Sequence, residues 1–191
     1  MSNKTWKYVK EDEIMKCDCS NNYNYDVIGL CDISKIGTKG EVANNSTWTQ
    51  ITIPEILTVP KNKPNIESID KIYINVRIES TRIIATPKTE ANVTSTEGLK
   101  LTGRKLLVDG YLCQTIVYTA NNCYQTVHSS SFRVPFCTYI VIESNADIDT
   151  DKYCVKGCIE DVFAKPLNER TIFKNVSLFL NATKSNDPAC V

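Results

Sequence analysis

Hydrophobic residues along this chain recur at every second position. Ile72, Ile74, Val76 and Ile78 alternate with Lys71, Tyr73, Asn75, Arg77 and Glu79. That pattern predicts a strand with one buried and one polar face. Ile51 and Ile53 alternate within residues 47–56, and Pro54 either closes that run or places it at a sheet edge. Residues 104–119 read as a long strand with a bend or bulge at Gly110. Residues 132–143 and 171–183 read as further strands, residues 25–33 hold one more, and the segment around Cys154 and Cys158 is another candidate. Turn residues cluster at Lys61 to Pro64, Thr86 to Gly98, Ala120 to Cys123 and Ser144 to Asp151. No stretch carries a convincing amphipathic-helix pattern; at most one helical turn fits at 53–59, bracketed by Pro54 and Pro60. The expectation is an all-β fold, an antiparallel β-sandwich or barrel-like domain with an extended N-terminal arm.

The arm covers residues 1–47, the β-domain residues 48–183, and a short tail residues 184–191. The arm is rich in Asn, Lys and Asp and makes a poor independent domain. It is expected to serve assembly by docking on a neighbouring subunit, adding a strand to an exposed edge. With 191 residues, 42% of them hydrophobic, the chain can bury a core without help from cross-links. Its 22 basic and 22 acidic residues cancel. That balance argues against general binding to nucleic acid or an anionic membrane, which needs a basic patch. No apolar run reaches membrane-spanning length.

Nine cysteines change the picture: Cys17, Cys19, Cys31, Cys113, Cys123, Cys137, Cys154, Cys158 and Cys190. Such density is typical of secreted, disulfide-bonded chains, yet the charged N-terminal residues do not read as a signal peptide. Three explanations compete: bound metal, redox chemistry, or synthesis inside a cell followed by oxidation. Zinc sites usually show paired ligands at repeated short spacing. Here only Cys17/Cys19 and Cys154/Cys158 are close, CxxC is absent, and His128 is the only histidine. No metal and no cofactor is expected. In a strand Cys154 and Cys158 share a face about 13 Å apart, beyond the roughly 7 Å that a disulfide allows, so each must find another partner. Cys113 and Cys137 lie within strand cores and read as small buried hydrophobes. Cys17, Cys19 and Cys190 lie near the chain ends and are the candidates for disulfides between subunits. Cys31, Cys123, Cys154 and Cys158 are further disulfide or buried-thiol candidates. Because nine is odd, at least one thiol lacks an internal partner.

Catalytic patterns are weak. A thiol hydrolase could be drawn from His128 with Cys113, Cys123 or Cys137, but a solvent-facing or hydrogen-bonded strand histidine is the simpler reading. No nucleophile elbow, phosphate-binding loop or dinucleotide fingerprint occurs. Glu11 to Glu13 and Glu160/Asp161 read as solvated surface. Six N-x-S/T sequons, at Asn3, Asn44, Asn45, Asn92, Asn175 and Asn181, fit the bias of an Asn/Ser/Thr-rich β-protein. The expectation is a protein that is not an enzyme.

One resemblance sharpens this. Residues 48–69, the run from Gly98 to Gly110, Gln114, Tyr118, Val127 to Ser129, Phe132 to Phe136, and residues 169–180 together resemble the SPOCS-domain family of spore-forming anaerobic bacteria. The likeness covers roughly residues 48 to 182, with the segments in family order. It implies a spore-envelope role, since characterised relatives are adaptors or structural components assembled around the forespore; the family offers no catalytic residues to carry over. Some relatives carry a peptidoglycan-binding LysM module, and none is visible here. The cysteines tilt the expectation toward a self-assembling, disulfide cross-linked component of the exosporium, coat or a spore appendage, with itself as main partner and other coat proteins as further ones. The alternative is a non-catalytic adaptor that tethers envelope layers. Either protein is made in the mother-cell cytoplasm, needs no signal peptide, and meets oxidants after lysis.

Overall fold

A computed structural model describes residues 24–32, 46–89 and 101–185. Within them the chain forms seven strands: β1 Asp26–Ile28, β2 Ser46–Thr58, β3 Ile66–Lys88, β4 Thr102–Ala120, β5 Val127–Val141, β6 Tyr153–Asn168 and β7 Thr171–Lys184. No helix occurs among the described residues. The strands build two sheets, one ordered β1-β3-β4-β5 and the other β2-β7-β6. They stack as a sandwich and do not close into a barrel. Every pairing is antiparallel except that of β1, which runs parallel to β3.

Alternation decides which residues are buried. Leu106, Val108, Leu112, Ile116 and Tyr118 of β4 face inward, as do Ile172, Val176, Leu178 and Leu180 of β7. They meet Ile53 and Leu57 of β2, Ile72 and Ile74 of β3, and Ile140 of β5 in one core. Burying such a side chain contributes about 1.5–3 kcal/mol.

The predicted strands are present, generally longer than expected. The segment at 53–59 stays extended through Pro54, which faces Asn175 across the β2–β7 ladder. β2 borders its sheet, so the missing N–H of proline costs no ladder bond. Pro135 and Pro166 likewise sit on the bordering strands β5 and β6. At Gly110 the structure corrects the expectation in detail. The register shift lies in β3, between Ile78 and Ser80, while β4 runs through. Gly110 provides the space: a Cβ there would come 2.5 Å from the Arg77 carbonyl oxygen and 2.8 Å from Phe136 Cζ.

One pole is tied together by Arg170 in the β6–β7 turn. Its guanidinium donates to the carbonyls of Lys63 (3.1 Å), Val59 (3.1 Å) and Pro60 (2.5 Å) and to Asn65 Oδ1 (2.7 Å). At the other pole, residues 144–152 fold over the core. Asp151 accepts from Lys184 Nζ at 2.6 Å and from the Asp147 amide at 2.9 Å. These donors hold the Asp151 carboxyl below its ordinary range.

Four buried positions break the apolar rule. Glu55 of β2 and Lys174 of β7 are cross-strand neighbours facing inward, and Gln114 of β4 faces them from the other sheet. Ser130 of β5 is also buried.

Candidate functional site

Residues 24–32 dock along a seam between the two sheets. β1 pairs with Lys71 to Tyr73 of β3. Gly29 then turns the chain with φ of 118°, a conformation that favours glycine, beside the Ile74 carbonyl. Beyond the turn, the Cys31 amide donates to the Ile159 carbonyl of β6 at 2.9 Å. Tyr25 bridges the same strand: its hydroxyl donates to the Val162 carbonyl at 3.2 Å and accepts from the Ala164 amide at 2.7 Å. Cys31 and Cys158 meet here as a disulfide with Cα atoms 5.5 Å apart. The strand predicted at 25–33 therefore exists, but this part of the arm adds its strand to its own β-domain. The remainder of the arm, with Cys17 and Cys19, and the tail with Cys190 lie outside the described residues.

Sequence spacing left the partners of Cys158 open because the pair is separated by 127 positions. The exclusion of a Cys154–Cys158 bond agrees with the structure, since both sit on the outward face of β6 and Cys158 bonds elsewhere.

For Cys113 and Cys137 the structure overturns the buried reading. Cys113 is half-buried and Cys137 exposed, both unbridged on the outward face of the four-stranded sheet. The reason is phase. On β4 and β5 the inward residues are even-numbered, but the odd-numbered Leu107, Tyr111 and Val117 of β4 and Tyr139 and Val141 of β5 are also apolar. Hydrophobicity alone therefore does not say which set is core. Cys137 lies beside Asp109, whose carboxylate accepts from the thiol and pushes its pKa up. Cys123 is exposed in the β4–β5 hairpin next to Tyr124, itself 84% exposed. Cys154 is half-buried on β6.

The same outward face carries cations over aromatic rings. Arg133 lies 3.7 Å from the Tyr111 ring centroid, and Lys105 lies 3.7 Å from that of Tyr139. A cleft of about 330 Å³ opens beneath the 144–152 loop, with apolar lining from Ile83, Leu106, Ile148 and Tyr153 and charged lining from Arg82, Asp149, Asp151 and Lys152.

His128 is half-buried and hydrogen-bonded to Thr126 Oγ1 at 2.9 Å. It lies on β5 opposite Tyr118, away from Cys113 and Cys137 in the strand register. Glu160 accepts from Gln50 at 2.8 Å. No cluster of three or more metal-ligating side chains occurs among the described residues.

The residues that sequence reasoning missed are Glu55, Lys174 and Gln114. A usable signal was present. Glu55 falls in phase with Ile51, Ile53 and Leu57, and Lys174 falls in phase with Ile172, Val176 and Leu178. A charge in step with the apolar face of a strand is either a register error or a buried pair.

The fold thus defines an all-β, two-sheet sandwich with a disulfide-pinned N-terminal strand. The family model for the SipL SPOCS domain matches residues 65–167, more than half of the chain. The chain belongs to that family, which makes it a sporulation-related protein. The match runs from the start of β3 almost to the end of β6. No curated protein and no solved structure matches the chain.

Proposed function

We propose that this chain is a non-catalytic structural protein of the outer spore envelope that assembles with copies of itself and is cross-linked by disulfides between subunits. The observation that carries this reading is the disposition of its thiols. Cys31 and Cys158 satisfy each other, which leaves seven of nine cysteines. Cys113, Cys123 and Cys137 among them are unbridged and lie at or near the surface. A thiol held beside a neighbour's thiol in an ordered assembly has a high effective concentration, so oxidation would convert a reversible contact into a permanent one. Cys17, Cys19 and Cys190 remain the first candidates for that bond. The bordering strand β5, 15 residues long, supports the reading as an edge on which another chain can pair.

The test is electron microscopy of the purified full chain under oxidising conditions, with non-reducing gels of Cys17→Ser/Cys19→Ser and Cys190→Ser variants. Large ordered assemblies and reductant-sensitive ladders, shortened in the variants, are expected. A species that stays monomeric at high concentration and runs wholly as monomer when boiled unreduced would sink the reading. A small species that enlarges only when another coat protein is added would replace it with an adaptor role.

A further inference from the structure

An amine, a carboxyl group and a carboxamide meet in the middle of the sandwich. The Lys174 side chain has no solvent exposure, that of Glu55 has 1%, and Gln114 as a residue has 4%. Lys174 Nζ lies 3.1 Å from Glu55 Oε2. Gln114 Nε2 donates to the same oxygen at 2.6 Å. The amine and the carboxamide therefore flank one carboxylate oxygen. Beyond these contacts the groups are poorly satisfied: Glu55 Oε1 and Gln114 Oε1 are buried with no hydrogen-bond partner. Core polar groups left in this state are costly, and a buried ion pair seldom repays its desolvation. Gln114 and Lys174 also come from the inner strands of the two sheets. β4 lies between β3 and β5, and β7 lies between β2 and β6.

We propose that Lys174 and Gln114 react to form an amide cross-link between the two sheets, with Glu55 carrying the protons. The carboxylate of Glu55 takes a proton from the Lys174 ammonium and leaves a neutral amine. Burial favours that transfer, since it pushes the lysine toward its uncharged form. Nζ attacks Gln114 Cδ, and the carbonyl π pair moves onto Oε1. As the tetrahedral centre collapses, the C–Nε2 bond breaks. Glu55 protonates the departing nitrogen and takes up the proton that Nζ sheds. Ammonia leaves, one N–C bond replaces another, and no oxidant or reductant is needed. The ion pair becomes an amide and a neutral carboxylic acid, so no charge remains buried. Preorganisation in a dry core supplies the rate, because reactants held against one carboxylate oxygen behave as if at very high concentration. This proposal does not depend on the envelope role.

Intact mass spectrometry of the purified, fully reduced chain tests it. The expected mass is that of the sequence less one ammonia. A protease digest should contain one species joining the peptides that hold Gln114 and Lys174. Glu55→Gln and Lys174→Met should show their full sequence masses. Where either variant fails to fold, the wild-type mass and digest decide alone. A wild-type chain that keeps its full mass after prolonged incubation overturns the proposal. So does a loss of one water, which would place the bond between Lys174 and Glu55, and so does an ammonia loss without joined peptides.

Discussion

Breaking the Cys31–Cys158 bond should cost more than any single packing change in this domain. The bond spans 127 positions and so encloses β2 to β5 and the first part of β6. Cross-linking a loop of that length removes enough entropy from the unfolded chain to stabilise the fold by about 5 kcal/mol. A Gln114–Lys174 bond would shorten the enclosed loop only modestly, and the dependence on length is logarithmic. Beyond the disulfide, the docked segment is held by the three-residue β1–β3 ladder, the exposed Asp26–Lys71 ion pair and the packing of Tyr25 and Val27 against the core. Three hydrogen bonds join Tyr25 and Cys31 to β6, worth about 1 kcal/mol each. Ordering each residue of backbone costs about 1–2 kcal/mol. Cys31→Ser should therefore lower global stability and also release residues 24–32 from the seam. Urea denaturation followed by far-UV circular dichroism reads the first effect. Hydrogen exchange reads the second, because the Ala164 amide donates to Tyr25 and should open locally, losing more protection than the β4 amides, whose protection falls only with global stability. Reductant added to the wild-type chain should reproduce both results. A Cys31→Ser protein within about 1 kcal/mol of the oxidised wild type, with Ala164 still protected, would refute the argument.

Four further outcomes follow from the same geometry. Lys174→Ala leaves the Glu55 carboxylate buried without a cation and should cost about 3–5 kcal/mol in chemical denaturation. Gly110→Ala forces a methyl group against the Arg77 carbonyl and the Phe136 ring, and a loss of about 1–3 kcal/mol is expected in thermal unfolding. Asp109→Asn removes the carboxylate that raises the Cys137 pKa, so iodoacetamide should alkylate Cys137 faster at neutral pH; an unchanged rate would show that Asp109 does not restrain the thiol. Asp151 titrates below the ordinary aspartate range because Lys184 and the Asp147 amide bind its charged form, so its stabilising contribution is full above the unfolded aspartate value and disappears as pH falls through the lower folded value. Lys184→Met should shrink this acid-side dependence, which pH-resolved denaturation curves would reveal.

Much of the fold was legible because strands advertise themselves locally. Period-two alternation at Ile72 to Ile78 predicted the buried face of β3, and Pro54 signalled a bordering strand through its missing donor. The all-β class, as a sandwich or barrel, and the family also followed from pattern and motif order, while the two open sheets emerge from the packing. Other features depended on contacts between distant segments. The partner of Cys158 is a residue 127 positions away, and no local rule selects it. The outward placement of Cys113 and Cys137 was not legible because β4 and β5 each carry apolar side chains in both phases, and only packing across the core decides which phase is buried. Glu55 and Lys174 carried a readable anomaly, charges in step with an apolar face. That they neutralise each other and meet Gln114 became visible only once two sheets were laid together. Alternation is a property of one strand, whereas partnership across a core depends on how the whole chain returns on itself. The sequence by itself determined the strands, their edges and the family. The tertiary structure decided the disulfide, the exposed thiols and the buried triad, because each is a long-range meeting of side chains whose positions are set by topology.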